Sequence, residues 1–331
     1  MITFRDFMES SLYDPKEGFY ARRAAKADFY TAPELHSAFA KALADCICRR
    51  LELVAEKKPN SPLFVMEMGS GNGTLARQVI TAIKEKAPHW MNRTRYILVE
   101  KVESLLMESI LELQDTGVKL LGYTRLDEVP RFSGVVYSNE LIDAMPVHVL
   151  EKQDGRIREL YVREGGKTEL GLLSRRALVH AARSVRETLQ EGERHAVNLD
   201  ARGWIAQLGR ILKVGSVITV DYGKRFAAHA PNPPRTFYKH TTGEDITGRP
   251  GLQDLTANVD FEQLMAEGER AGFERKSFQT MTQFLIDHGI IDSMPKGASL
   301  GEFKERSQIK TLFHPDGMGE RFKVLVQEKG L

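Results

Sequence analysis

Hydrophobic and polar positions along the middle of the chain alternate between the two-residue period of strands and the longer period of helices. Short apolar runs that end in glycine or polar residues predict strands, and stretches with helical spacing separate them. The predicted strands are 64–68, 95–99, 118–121, 134–138 and 216–220. The predicted helices are 75–84, 103–114, 175–189 and 201–212. Such alternation predicts an α/β fold with a doubly wound, mostly parallel sheet.

Three further regions frame this alternating part. Apolar spacing predicts helices at 4–12 and 35–55, and Thr31 with Glu34 forms a capping box before the second. Turn residues at 152–155 and 164–167 predict strand pairs between them. Toward the C-terminus, a helix at 261–271 precedes two late strands, at 273–278 and 322–327, which we expect to add an antiparallel edge to the sheet.

These elements give a predicted domain organisation. We expect an N-terminal helical lid region over residues 1–60 and a Rossmann-like core over 61–145 and 195–331. The core carries a late insertion around 224–258 and 279–318, and an inserted strand and helix region spans 146–194.

Composition narrows the class of protein. The chain has 331 residues, of which 42% are hydrophobic and 28% charged, as in ordinary globular proteins. A net charge of +2 gives no whole-chain attraction to nucleic acid, and no apolar run predicts membrane insertion. The two cysteines, Cys46 and Cys48, lie on one predicted helix without a second ligand pair, so we expect no metal site. Without a targeting segment at residue 1, a cytoplasmic location is expected. Composition sets no oligomeric state.

A glycine-rich turn supplies the first candidate chemistry. Gly69, Gly71 and Gly73 stand between the strand at 64–68 and the following helix, an arrangement that lets a nucleotide approach the backbone closely. A dinucleotide, S-adenosylmethionine, or a tight turn without a ligand all fit this spacing. A phosphate-binding P-loop does not, because no Gly-Lys-Ser/Thr follows. Glu100 ends the next strand, where a carboxylate can accept hydrogen bonds from the ribose hydroxyls that both NAD and S-adenosylmethionine carry.

Two features favour S-adenosylmethionine as the cofactor. Glu67, just before the glycines, would repel a pyrophosphate but suits the sulfonium and α-amino groups of the methyl donor. The antiparallel edge predicted from the late strands is also typical of the class I methyltransferase sheet.

A second polar group follows the strand at 134–138. Asn139, Glu140 and Asp143 place an amide and two carboxylates at the carboxyl edge of the sheet, where ligands bind in open α/β folds. Carboxylates there can grip a guanidinium and aim one of its nitrogens at a methyl group. Alternatively, Asp143 caps a helix and Glu140 pairs with a surface base. By the same strand-end rule, Asp221 is expected to face the site after the strand at 216–220.

Taken together, these motifs resemble the MidA-type family of S-adenosylmethionine-dependent methyltransferases, almost end to end. The segments that carry the resemblance are 7–15 with 18–20, 28–34, 67–75, 99–100, 139–147, 221–223, 253–261 and 317–324. The resemblance implies a Rossmann-like class I methyltransferase sheet with an N-terminal helical lid and inserted substrate-side elements. The cofactor-binding residues are then expected to be Glu67, Gly69, Gly71, Gly73, Thr74 and Glu100.

The resemblance also implies a substrate. Mitochondrial members of the family are complex I assembly factors that methylate an arginine of a partner subunit, so we expect protein arginine methylation, with a respiratory-complex or other oxidoreductase subunit as the partner. Asn139, Glu140 and Asp143 are the expected catalytic residues. Two alternatives are a chaperone-like assembly factor with a vestigial cofactor pocket and a dinucleotide-dependent oxidoreductase.

Overall fold

A computed structural model of the chain describes residues 1–22, 32–226, 231–239 and 241–331. Thr31, the predicted helix cap, lies outside the described residues. The chain forms two compact units. The N-terminal unit takes its described residues from Met1–Phe29, Ile142–Ile205 and Lys224–Leu264. The core-sheet unit takes its described residues from Tyr30–Leu141, Ala206–Gly223 and Met265–Leu331.

Helices and strands follow one another along most of the described chain. The helices are α1 (Phe4–Tyr13), α2 (Ala32–Leu35), α3 (Ala38–Lys57), α4 (Thr74–Lys86), α5 (Glu103–Leu113), α6 (Leu178–Val185), α7 (Leu199–Ile211), α8 (Phe261–Arg270), α9 (Met281–Asp287) and α10 (Leu300–Phe313). The first strands are β1 (Ile2–Thr3), β2 (Leu63–Met68), β3 (Thr94–Val99), β4 (Lys119–Tyr123), β5 (Phe132–Asn139), β6 (His148–Gln153), β7 (Arg156–Val162) and β8 (Thr168–Gly171). The later strands are β9 (Arg194–Val197), β10 (Leu212–Lys224), β11 (Arg235–Tyr238), β12 (Thr241–Gly243), β13 (Asp254–Thr256), β14 (Val259–Asp260), β15 (Glu274–Thr280) and β16 (Phe322–Lys329).

The core-sheet unit is built on a sheet with the strand order β4-β3-β2-β5-β10-β16-β15. The strands from β4 to β10 pair in parallel, and β16 is antiparallel to both of its neighbours. The predicted doubly wound α/β sheet and its antiparallel edge are therefore confirmed. Because parallel strands end at the same edge of a sheet, the carboxyl ends of β2, β3 and β5 share one side.

The strands at the centre of this sheet are buried almost throughout, on both faces, and consist of nearly continuous apolar runs. One face buries a continuous core in which α3 and α4 pack on β2, β3 and β5. Its larger fully buried members are Phe39, Leu43, Ile47, Leu51, Val65, Tyr96, Val135 and Tyr137. Each large apolar side chain buried there contributes about 1.5–3 kcal/mol to folding, so this face fixes the strand register on which the site depends.

The N-terminal unit contains an antiparallel sheet in the order β1-β7-β6-β9, with β8 also paired to β7. The β6–β7 and β7–β8 pairs confirm the strand pairs predicted from the two turn segments. The first turn holds Asp154 and Gly155 in left-handed conformations, the geometry of a tight two-residue hairpin. Helix α1 buries Phe4, Met8 and Leu12 in the core of this unit.

Three parts of the fold depart from the sequence prediction. Strand β10 extends well beyond the predicted 216–220, because β16 pairs with it from Gly215 to Tyr222. Helix α6 is shorter than the predicted 175–189, and Leu189 is buried in the same small core as Leu178, Ala182 and Val185 although it lies beyond the end of the helix. The small sheet β12-β11-β13 and the helices α9 and α10 lie where no element was predicted. Among the described residues, no helix combines the length and apolar character needed to cross a bilayer.

Candidate active site

The three glycines of the turn between β2 and α4 differ in the space around them. A Cβ atom on Gly69 would lie 3.0 Å from Leu141 Cδ1, and one on Gly73 would lie 2.9 Å from Ser109 Cα. A Cβ on Gly71 would meet no described atom within 4 Å. Gly71 also has a φ of 51°, which disfavours any larger residue. Gly69 and Gly73 therefore allow close packing within the protein, whereas Gly71 borders open space through which a ligand can reach the backbone.

Hydrogen bonds within the turn hold it in place. The Gly73 N–H donates to the Ser70 carbonyl at 2.9 Å, and the Thr74 N–H at the start of α4 donates to Asn72 Oδ1 at 3.1 Å. The Ser70 hydroxyl lies 3.2 Å from the Ser109 hydroxyl, and both are buried. These hydrogen bonds hold the turn in shape, and the Thr74 N–H is already used within it.

Glu100 ties the glycine turn to the next strand. Its Oε2 accepts a hydrogen bond from the Gly71 N–H, and its Oε1 accepts one from the Val102 N–H, both at 3.0 Å. Burial raises the pKa of the Glu100 carboxyl, and these backbone donors lower it in part. Each carboxylate oxygen has a second lone pair, so the side chain can accept hydroxyl donors as well as hold the turn.

Of the two acids at the turn, Glu67 has the more strongly shifted pKa. It is only 2% exposed, and burial, reinforced by the charge of Glu100, raises its pKa to about 8. Tyr137 on β5 hydrogen-bonds to the Glu67 carboxyl, and Tyr96 on β3 in turn hydrogen-bonds to Tyr137. Within the described residues, Glu67 Oε2 has no hydrogen-bond partner. A buried, under-bonded carboxyl of this kind is stabilised as the anion when a cation comes beside it.

The two tyrosines behind Glu67 were not predicted from the sequence. Both are fully buried in strands, and the β2–β5 register places Tyr137 directly opposite Glu67. The sequence does contain one signal for them, a tyrosine within an otherwise apolar strand. A buried tyrosine hydroxyl requires a hydrogen-bond partner, which indicates a polar group on a neighbouring strand.

Asn139 and Glu140, which are predicted to bind the methyl acceptor, lie at the carboxyl end of β5. Asn139 Nδ2 donates to Glu140 Oε1 at 3.1 Å, while Asn139 Oδ1 is buried without a partner among the described residues. Glu140 has a φ of 50°, and its N–H donates to the Val220 carbonyl on β10 at 3.0 Å. Leu141 then packs against Gly69. Within the core-sheet unit, this loop therefore lies against the glycine turn.

Asp143 belongs to the N-terminal unit, where it is 4% exposed. Its carbonyl accepts the Ala257 N–H at 3.0 Å. Tyr20 donates to Asp254 Oδ1 at 3.3 Å and stacks on Tyr13 with ring centroids 5.4 Å apart. Burial and the charges of Asp254 and Asp143 raise the pKa of Tyr20 well above its usual value. No described helix begins at Asp143, so its alternative role as a helix cap is not observed.

The strand end predicted before Asp221 is wrong, because β10 continues through Asp221 to Lys224, whereas the expected orientation of Asp221 toward the site stays a prediction. Asp221 lies inside β10, opposite Lys323 of β16, and is fully buried. One of its carboxylate oxygens accepts the Tyr222 N–H at 2.8 Å. Pairing with the antiparallel strand β16 continues past the point where the apolar run stops, whereas the parallel pairing with β5 ends one residue before Asp221, at Val220.

The geometry of the turn fits S-adenosylmethionine. Open space over Gly71 admits a ligand to the backbone, and the buried Glu67 Oε2 offers an acceptor for a cationic group. Among the described residues, no cluster of His, Cys, Asp and Glu is arranged to hold a metal ion. The sheet order and this turn define a class I methyltransferase.

Comparisons with known proteins agree with that class. Residues 42–279 match a family model described as "Putative S-adenosyl-L-methionine-dependent methyltransferase". The match covers well over half of the chain, so the protein belongs to this family of S-adenosylmethionine-dependent methyltransferases.

Relatives and a solved structure match nearly the whole chain. The zebrafish (Danio rerio) mitochondrial protein arginine methyltransferase NDUFAF7 is 27% identical over 97% of this chain and 82% of its own length. Its Drosophila melanogaster homologue is 26% identical over 100% of this chain and 82% of its own length. A Burkholderia thailandensis protein solved with S-adenosyl-homocysteine bound is 26% identical, with a TM-score of 0.83 over 99% of this chain and 88% of that one.

These findings confirm the predicted family, fold class and cofactor. They contradict the predicted cytoplasmic location, because the relatives are named as mitochondrial proteins. The roles of the individual site residues stay predictions, as does the division into lid, core and insertions.

Proposed function

We propose that this protein methylates an arginine side chain of a partner protein. The observation that carries the proposal is the contact between Leu141 and Gly69, which holds the Asn139–Glu140 amide and carboxylate against the glycine turn. Groups that bind an acceptor nitrogen are thereby held next to the turn that fits the methyl donor. The relatives named as protein arginine methyltransferases support a protein substrate and an arginine target.

On the donor side, the surroundings of Glu67 and Glu100 suggest a separate role for each carboxylate. Glu67 binds the cationic part of S-adenosylmethionine through its unpartnered Oε2, with Tyr137 and Tyr96 holding the carboxyl in place. Glu100 accepts the ribose hydroxyls while it holds the Gly71 N–H.

On the acceptor side, the residues must orient a guanidinium nitrogen and balance its charge. When bound, S-adenosylmethionine supplies an electrophilic methyl group, so that one N–H of the guanidinium becomes N–CH3 while a proton and S-adenosylhomocysteine are released. Asn139 offers a neutral oxygen to an N–H, and Glu140 supplies negative charge beside it. Asp143 is a further substrate-binding carboxylate on the grounds of the sequence motif alone. Orienting the nitrogen is the main task, because the sulfonium is a good leaving group.

The proposal is tested by methyl transfer into total protein. An extract from cells that lack this gene is incubated with the purified protein and S-adenosylmethionine carrying a tritiated methyl group, and the labelled protein is hydrolysed to amino acids. We expect label in methylated arginine. Label confined to lysine, carboxyl groups or small molecules would overturn the arginine assignment.

A matched pair of variants separates methyl transfer from a purely structural role. Gly71→Val fills the open space over the turn, whereas Gly117→Val introduces the same residue at a similar φ of 70° where no described atom lies within 4 Å of a Cβ. Calorimetry should show that the Gly71 variant alone loses binding of S-adenosylhomocysteine, together with methyl transfer. Full rescue of the deletion cells by a Gly71→Val protein that binds no S-adenosylhomocysteine would instead support a chaperone-like factor.

A further inference from the structure

We propose that Asn139 contacts the acceptor nitrogen through its Oδ1 atom, and that Glu140 is a positioning residue that acts through Asn139. This inference rests on the proposed function and assigns separate tasks to two neighbouring residues. Asn139 becomes the group that touches the substrate, and Glu140 becomes the group that fixes the direction of the Asn139 amide.

The hydrogen bond between the two side chains sets the orientation of the amide. An ionised carboxylate only accepts hydrogen bonds, so the amide atom that lies 3.1 Å from Glu140 Oε1 is the Asn139 nitrogen. The oxygen of the same amide then points to the other side. It is buried and has no partner among the described residues. A buried acceptor without a donor is unfavourable, so an N–H arriving from a ligand would satisfy it.

The backbone of Glu140 is locked in a conformation that its residue type disfavours. A φ of 50° costs a non-glycine residue free energy, and such conformations persist where surrounding structure imposes them, often at functional sites. Here the Glu140 N–H is held by the Val220 carbonyl on the central strand β10. Neither a tight hairpin nor a glycine-like residue type accounts for this conformation, which occurs together with the hydrogen bond between the Glu140 carboxylate and Asn139.

The next residue ties this pair to the cofactor turn. Leu141 Cδ1 occupies the space that a Cβ on Gly69 would need, at 3.0 Å. The short segment from Asn139 to Leu141 therefore fixes the direction of the Asn139 oxygen relative to the turn. Glu140 orients the amide, and Leu141 packs against the turn.

The experiment combines four variants: Asn139→Ala, Glu140→Ala, Glu140→Gln and the double alanine variant. Methyl transfer from tritiated S-adenosylmethionine into arginine is measured over a dilution series of extract protein from deletion cells, which separates kcat from the apparent KM. We expect Asn139→Ala to lower kcat about 100-fold, the order of loss that follows misplacement of a reacting group. Glu140→Ala frees the amide and should lower kcat about tenfold.

The conservative variant and the double variant decide between the two roles of Glu140. Gln keeps an oxygen for Asn139 Nδ2, so Glu140→Gln should restore kcat to within about threefold of the native value. If Glu140 acts only through Asn139, the double alanine variant should be no slower than Asn139→Ala. A 100-fold lower kcat in Glu140→Gln, or multiplicative losses in the double variant, would overturn the inference.

Two readouts are independent of turnover. Calorimetry should give S-adenosylhomocysteine affinities within about twofold of native for all four variants, since the turn is untouched. The Asn139 side-chain NH2 resonances, assigned by their loss in Asn139→Ala, should shift in Glu140→Ala and stay near their native position in Glu140→Gln. An unshifted resonance in Glu140→Ala would mean that the hydrogen bond is absent. If the native protein labels no arginine, the proposed function fails instead, whatever these resonances show.

Discussion

Cofactor binding should release a proton from Glu67. Its pKa is about 8 without a ligand, so the carboxyl is about 90% protonated at pH 7. A cationic group of the ligand beside Oε2 favours the ionised form. Binding of S-adenosylhomocysteine, which carries the α-ammonium group, is therefore expected to release about 0.9 proton from this site at pH 7.

The number of protons released can be measured by calorimetry in buffers of different ionisation enthalpy, because the observed binding enthalpy changes in proportion to it. The difference between the native protein and Glu67→Gln isolates the contribution of Glu67 from the titration of the ligand amine and of Glu100. From pH 7 to pH 6, the Kd of the native protein should rise about tenfold, or 1.4 kcal/mol, whereas that of the variant should change little. Tyr137→Phe is a control that shifts the pKa of Glu67 without removing its carboxyl. It removes the hydrogen bond that lowers the pKa of Glu67, so the pH dependence should move to higher pH.

Because of the raised pKa of Glu67, the stability of the fold should decrease with rising pH, whereas ligand binding should become tighter. The native state holds the Glu67 proton up to about pH 8, but the unfolded chain loses it near 4.5, so the free energy of unfolding should fall as the pH rises between these values. The full difference corresponds to about 5 kcal/mol. Glu67→Gln should remove this part of the decline in denaturant titrations at pH 5 and pH 8. Equal proton release by the native protein and the variant, with parallel stability profiles, would refute the proposed role of Glu67.

Two further substitutions test the packing of the core-sheet unit. Gly73→Ala places a Cβ 2.9 Å from Ser109 Cα and should destabilise the protein by about 1–3 kcal/mol more than Gly117→Ala, which has a similar left-handed φ and open space; equal losses of unfolding free energy would show that no clash exists. Asp45→Asn should cost about 1–3 kcal/mol in urea unfolding at pH 7, because buried Asp45 binds His288 Nδ1 at 2.6 Å. Hydrogen bonds and nearby positive charges keep the pKa of Asp45 low despite burial, so this difference should shrink only as Asp45 protonates under acidic conditions.

The sheet could be predicted from the sequence where each strand is an apolar run with its own polar boundary. Strands β2, β3 and β5 satisfy that condition and were placed within two residues at each end. The end of β10 was misplaced because its last residues are polar and are held by pairing with β16, almost a hundred residues later. The short strands β11 and β12 contain few apolar residues, so local periodicity gives no basis for finding them.

In the candidate site, too, features set by the local sequence could be predicted, whereas contacts between residues far apart in the sequence could not. The strand-end rule was enough to single out Gly71, Glu100 and Asn139, since each follows directly from an apolar strand. The support behind Glu67 was not predictable in this way, because Tyr137 meets it only through the register of two strands. Likewise, the hydrogen bond between Asn139 and Glu140 occurs beside a left-handed Glu140 backbone, a conformation that the residue type does not indicate.

Strand β5 has a consequence for how this enzyme could change its specificity. Tyr137, which hydrogen-bonds to Glu67, and Asn139, the proposed acceptor-binding residue, are two residues apart on one strand and so project from the same face. Their spacing equals two strand rises, about 6.6 Å, and is set by the backbone instead of by a mobile loop. An insertion or deletion within β5 would disturb both functions at once. Evolution toward a different acceptor is therefore expected to leave β5 intact and to change the residues that follow Leu141.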